Sequence, residues 1–152
     1  FYFHAGHNRF ERPGAAARSL DRLVEELLRS PRPKDWFRAY FNAGLREYVL
    51  DRPRLLPCAA GTDIFFLDPF GEVYPCNGLE PRFWQESLGN LHLASFEEIW
   101  NSEKAAEVRA RVRECPKNCW MIGTAAPAMK KHIFKPLLWV AGKKFLRSRR
   151  PA

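Results

Sequence analysis

Four cysteines and no others punctuate this 152-residue chain, at Cys58, Cys76, Cys115 and Cys119. Cys58 and Cys76 lie on either side of two β-rich runs, Asp63 to Leu67 and Glu72 to Pro75, joined through Asp68-Pro69-Phe70-Gly71. Proline and glycine at those places predict a β-hairpin. Cys115 and Cys119 stand four residues apart in Cys115-Pro116-Lys117-Asn118-Cys119, where Pro116 ends a helical run and turns both thiols into a compact loop. Iron–sulfur clusters require thiolates on a chain bent enough to present its sulfurs inward, and Gly61 and Gly71 allow such bending. The arrangement suits a closed four-ligand site.

Two other readings compete with a cluster. Free cysteine is among the most buried residue types, so ordinary core thiols are one of them. A structural zinc held by four thiolates is the other, because ligand type does not separate the two metals. Zinc ribbons present tight C-x2-C knuckles on both sides, whereas 17 residues separate Cys58 from Cys76. The first residues are aromatic and histidine-rich, unlike a signal peptide, and no apolar run reaches the roughly 18–20 residues of a membrane span. Reduced thiols in the cytoplasm are therefore expected, where paired cysteines bind metal more often than they form disulfides. The chain opens at Phe1 without a methionine, which suggests a fragment whose upstream part is absent.

Around the cysteines the pattern is mixed. Phe1 to His4 reads as a strand end and His7 to Gly14 as a loop closed by Pro13-Gly14. Ser19 is placed to cap a helix with Leu20, Leu23, Val24, Leu27 and Leu28 on one face. A second helix is predicted from about Lys34 to Leu50, its stripe of Trp36, Phe37, Tyr40, Phe41, Leu45, Tyr48 and Val49 read as core. Residues 77–85 read as an exposed loop and Leu88-Gly89-Asn90-Leu91 as a tight connection. Ser95 with Glu98 forms a capping-box pattern for a short helix. Ser102 restarts a helix with Ala105, Val108 and Val112 inward and Arg109, Arg111 and Arg113 facing water.

These blocks together resemble the auxiliary-cluster domains of radical SAM enzymes, the SPASM and Twitch domains. The resemblance rests on Cys58, twelve residues, Gly71, four residues and Cys76, followed by Leu88-Gly-Asn-Leu91, Phe96-Glu-Glu-Ile-Trp100 and Cys115-Pro-Lys-Asn-Cys119. It covers roughly Leu55 to Trp120. It implies an α+β fold, a small β-hairpin plus helices around a four-cysteine metal site, preceded by the last strand and helix of a partial (β/α) barrel. The domains would run 1–54 for that barrel end, 55–122 for the cluster domain and 123–152 for a basic helical tail. The resemblance makes Cys58, Cys76, Cys115 and Cys119 the ligands of one [4Fe-4S] cluster, as in the one-cluster Twitch arrangement; a full SPASM domain carries seven cysteines and two clusters. The implied role is electron relay or structural support in a radical SAM oxidoreductase that modifies a peptide or small molecule. The C-x3-C-x2-C motif that cleaves S-adenosylmethionine is absent from this chain. S-adenosylmethionine and a second cluster are thus expected only with an upstream catalytic barrel, and this chain is not expected to be catalytic alone.

The net charge of +8 is uneven. Glu114 is the last acidic residue, and nine Lys or Arg follow it, so the high isoelectric point belongs to a tail. With Trp139 and interleaved apolar residues, that tail reads as a helix docked on the core with a solvated lysine face; an anionic membrane surface is a second partner to weigh. Nucleic acid is disfavoured, because the aromatics follow core spacing rather than a stacking platform. The alternative from another class is a non-enzymatic four-cysteine zinc module that binds a partner, nucleic acid or membrane through the tail. His4 and His7 near the first strand are read as solvated or as lining an upstream active site. His92 and His132 have no sequence partner, and Asp63 and Asp68 are expected to serve turn hydrogen bonds.

Overall fold

The computed structural model describes residues 12–76 and 87–148, with side chains as far as Phe145. The strand end at Phe1 to His4, most of the loop beginning at His7 and the loop from residue 77 lie outside the described residues. Contacts divide the chain into two units, one of residues 57–117 and one of the chain up to Leu56 together with Asn118 onward.

The second unit is helical. Helix α1 runs Pro13–Arg29, α2 Pro33–Val49, α5 Ile122–Lys131 and α6 Phe134–Ser148. Helix α1 begins at Pro13 rather than at Ser19. Proline is favoured in the first helical turn, where its missing N–H is one of the unpaired donors anyway, and the three alanines that follow extend the helix backward. Pro13-Gly14 therefore opens a helix instead of closing a loop. The stripe on α2 is core, as its spacing implies. Tyr40 is buried with Leu56, Trp120, Ala125, Ala128 and Met129, and Phe37, Phe41, Leu45 and Tyr48 pack against them.

Helix α2 ends in a Schellman turn. The Arg52 N–H donates to the Glu47 carbonyl at 2.9 Å and the Asp51 N–H to the Tyr48 carbonyl at 3.1 Å. Asp51 takes the left-handed position, φ 54°, where glycine is usual. Asparagine and aspartate tolerate that region best among residues with a Cβ. Helix α6 docks on α1 and α2 through buried Val140 and half-buried Trp139, which meets Tyr40 edge-on with ring centroids 5.5 Å apart. The tail thus contains a docked helix.

The first unit is a three-stranded antiparallel sheet covered by helices. Strands β1 Phe66–Leu67 and β2 Glu72–Tyr74 form the predicted hairpin, with Phe66 opposite Tyr74 and Leu67 opposite Val73. Asp68 serves the turn as expected. Its carboxylate accepts the Phe70 and Glu72 N–H groups at 2.8 and 2.9 Å, and Gly71 closes the turn at φ +83°. Gly89–Asn90 is not a tight connection but strand β3, paired with β2. The reason is backbone accounting: the Leu88 and Leu91 N–H groups donate to the Val73 and Gly71 carbonyls, satisfying the outer edge of β2, while Leu88 buries its side chain.

Helices α3 Phe96–Trp100 and α4 Glu103–Arg113 begin where the capping patterns place them. At α3 both halves of the box are made, and its hydrogen bonds to Ser95 hold the Glu98 carboxyl below the usual range. Ile99, Ala105, Val108 and Val112 then close over Ala60, Val73 and Leu88. The observed fold is α+β, helices with a small antiparallel sheet.

Candidate metal centre

All four cysteines are thiols outside any disulfide, and each is half-buried. Cys58 and Cys76 pack against the same core, that of Ala60, Val73, Leu88 and Ile99. Their backbones are tied close by: the Gly61 N–H donates to the Pro75 carbonyl at 3.0 Å and to the Ile64 carbonyl at 2.9 Å. One bond thus joins the residue three beyond Cys58 to the residue before Cys76. The Pro75 side chain is fully buried, which fixes the point at which β2 hands the chain to Cys76.

Cys115 follows the end of α4, its N–H bonded to the Val112 carbonyl at 3.2 Å, and Pro116 prevents the helix from continuing. Cys115 belongs to the first unit with Cys58 and Cys76, and Cys119 to the second. The neighbours of Cys119 are firmly held. The Asn118 amide donates to the Tyr48 and Arg52 carbonyls and to the Asp51 carboxylate at 3.2 to 3.4 Å, so the Schellman turn of α2 receives it. Trp120 is fully buried and its indole N–H donates to the Phe41 carbonyl at 2.8 Å. Burial first, then the neighbouring Cys119 and Asp51, pushes the Tyr48 phenol up to about 12. Tyr48 therefore keeps its proton at neutral pH.

Among the described residues, no three His, Cys, Asp or Glu side chains are gathered as a metal-holding group. Cys58 and Cys76 thus pack against one core, and the residues on either side of Cys119 are tied within the other unit. The donor set itself suits iron and sulfide, since soft thiolates are the ordinary ligands of iron–sulfur clusters and half-burial supplies a partly dry surrounding.

Arg109 is the positioning residue that sequence reasoning missed. It was expected to face water, yet its Nε donates to the Gly61 carbonyl at 2.7 Å and its Nη2 to the Trp100 carbonyl. Its guanidinium also lies over the Trp100 ring, 4.8 Å from the centroid. Backbone carbonyls carry no sequence signature, so helical periodicity alone placed this arginine outside. It fastens the loop after Cys58 to the end of α3. Arg109→Ala is expected to destabilise this unit by about 2 kcal/mol, because charge-assisted hydrogen bonds are lost and two carbonyls lose their donor. Arg109→Lys should recover only part, lacking the fork that reaches both carbonyls. Urea unfolding of the three proteins checks this, and equal midpoints would refute it.

Of the remaining candidates, Asp63 lies in the turn after Gly61, with its N–H on the Ala59 carbonyl at 2.9 Å. His92 follows β3 against Gly71, and His132 ends α5. His4 and His7 lie outside the described residues. No described helix is long and apolar enough to cross a membrane.

Comparison with known proteins agrees with the thiol chemistry. No curated protein and no solved structure matches the chain. A family model does, that of SPASM, an iron–sulfur cluster-binding domain, over residues 58–121. Its span opens on Cys58 and contains all four cysteines. Residues 58–121 are therefore similar to the SPASM iron–sulfur cluster-binding domain, consistent with an auxiliary domain of the Twitch and SPASM type.

Proposed function

We propose that Cys58, Cys76, Cys115 and Cys119 together hold a single [4Fe-4S] cluster, in the auxiliary domain of a radical SAM oxidoreductase acting on a peptide or small molecule. The observation that carries this reading is the count: the family segment contains four thiols, none in a disulfide and none left over. Four protein ligands complete a cubane of this type. A two-cluster arrangement would need more thiols than the chain has.

With all four ligands from protein, such a cluster supplies one-electron transfer or a structural cross-link. The chain's own residues set the conditions. The core of Val73, Leu88 and Ile99 keeps water from the Cys58 and Cys76 side. Asn118 and Trp120 hold the chain on both sides of Cys119. Loading and local ordering are coupled in this reading, as they are for many small metal-binding domains. Residues 55–122 form the cluster domain in this reading, 1–54 contribute the last strand and helix of a partial barrel, and 123–152 form a basic helical extension. S-adenosylmethionine and a second cluster enter this reading only with an upstream catalytic barrel.

Anaerobic reconstitution with iron and sulfide tests the assignment. The expected product is brown, with broad visible absorption and about four iron and four sulfide per chain. A colourless protein that retains one tightly bound zinc per chain would replace the cluster with a zinc site.

A further inference from the structure

Arg54 carries an unmet hydrogen-bonding demand inside the helical unit. The residue is only half-buried, yet its Nε and Nη2 are shielded from solvent and have no hydrogen-bond partner among the described residues. These two nitrogens share one edge of the guanidinium, the fork that grips an anion with two parallel N–H donors. A guanidinium cannot shed its proton, and charges removed from water are retained where they are paired. The acids of the preceding turn are committed elsewhere. Glu47 accepts from Arg46 at 2.6 Å and faces Arg52 at 3.5 Å, and Asp51 accepts from the Asn118 amide at 3.3 Å. Among the described residues no carboxylate balances Arg54.

The chain itself locates the missing anion. Arg54 lies two residues after Arg52 and two before Leu56, so no more than about 7 Å of chain separates it from either. Both of those residues are fastened beside Cys119. The Arg52 carbonyl accepts the Asn118 amide at 3.2 Å, and Leu56 is buried in the core that contains Trp120. Cys119 stands between Asn118 and Trp120. Arg54 and Cys119 are thus bracketed by the same two attachments, one on each side, within a single compact unit.

We propose that Arg54 is a positioning residue of the iron–sulfur centre, donating its Nε–H and Nη2–H to sulfur on the Cys119 side of the cluster. The assignment rests on the reading of Cys119 as a cluster ligand. Four thiolates on a [4Fe-4S] core leave a net charge of about −2, and about −3 after one-electron reduction. A fixed cation beside that charge stabilises the more negative, reduced state and raises the reduction potential, as hydrogen bonds to the sulfurs do. Without the cluster the same fork has no acceptor, so its donors add nothing to the stability of the unloaded fold.

Arg54→Met and Arg54→Lys proteins, compared with wild type before and after anaerobic reconstitution, provide the test. Unloaded Arg54→Met should melt at or above wild type, because methionine keeps the apolar stem and leaves no donor unpaired. Reconstituted Arg54→Met should take up less iron or show a lower midpoint potential in an optical redox titration. The expected drop is at least about tenfold in the ratio of reduced to oxidised cluster at a fixed potential, about 59 mV for one electron. Arg54→Lys, which keeps the charge but not the fork, should fall between the two. Three results would overturn the proposal. Unloaded Arg54→Met that melts below wild type would show that the arginine already has a partner without the cluster. Iron content and midpoint potential equal to wild type in reconstituted Arg54→Met would remove Arg54 from the centre and leave the cluster assignment intact. Wild-type protein that retains only zinc would instead remove the cluster, and this role of Arg54 with it.

Discussion

Cys76→Ala protein, reconstituted anaerobically, is expected to lose stoichiometric cluster loading while the 57–117 unit stays folded. The two halves of that expectation have separate causes. Folding of this unit rests on apolar contact among Val73, Leu88, Ile99, Val108 and Val112, all buried, and on the backbone ladder of β2 with both neighbours. Cys76 is only half-buried at the edge of this core, so replacing its sulfur with hydrogen costs on the order of 1 kcal/mol. Domains of this size commonly have several kcal/mol to lose. Cluster binding has no such reserve. The chain contains no further cysteine to substitute, and no group of three His, Cys, Asp or Glu side chains stands ready among the described residues. Iron and sulfide per chain, read beside a thermal melt of the unloaded protein, separate the two effects. Cys58→Ala should behave in the same way. Iron and sulfide unchanged from wild type in either variant would remove that cysteine from the ligand set. Unfolding of the unloaded variant would instead show that the thiol supports the core.

The parts of this fold that were legible in the sequence are those fixed by local chemistry. The hairpin follows from Asp68-Pro-Phe-Gly71, where an aspartate accepts two N–H groups and a glycine takes the positive φ. The starts of α3 and α4 follow from Ser95 and Ser102, whose hydroxyls accept N–H groups three residues on. The α2 stripe follows from helical spacing. What stayed hidden depends on partners distant in sequence. Gly89-Asn90 carries no strand propensity and becomes β3 because the outer edge of β2 needs donors. Arg109 turns inward for two carbonyls that no side chain announces. Helix α1 starts at Pro13 rather than Ser19 because proline at the first helical position is as local a start signal as a serine cap. The four cysteines were conspicuous by spacing.

Gly44→Ala tests the helical unit, and local propensity and packing predict opposite signs for it. Gly44 lies inside α2, where alanine is better than glycine by about 1 kcal/mol, so propensity alone predicts stabilisation. A Cβ at this position, however, would stand 2.0, 2.3 and 2.4 Å from Cε2, Nε1 and Cζ2 of Trp120. Those separations are far inside van der Waals contact, and the ring has nowhere to go. It is 1% exposed, its N–H is committed to the Phe41 carbonyl, and it packs against the rings of Tyr40 and Phe41. Overpacking of a filled core commonly costs 1–3 kcal/mol, and a clash with a pinned indole belongs at or above the top of that range. The net expectation is a loss of about 2–3 kcal/mol, which for a domain of this size is on the order of 10 °C in melting temperature. Gly44→Ala combined with Trp120→Phe should melt higher than the sum of the two single changes predicts, because the smaller ring vacates the volume the methyl needs. A single Gly44→Ala protein that melts above wild type would show that Trp120 does not pack on α2 at this point. Since Trp120 is covalently next to Cys119, a proposed ligand, displacing it should also lower iron loading in the reconstituted variant, linking the packing of α2 to that thiol.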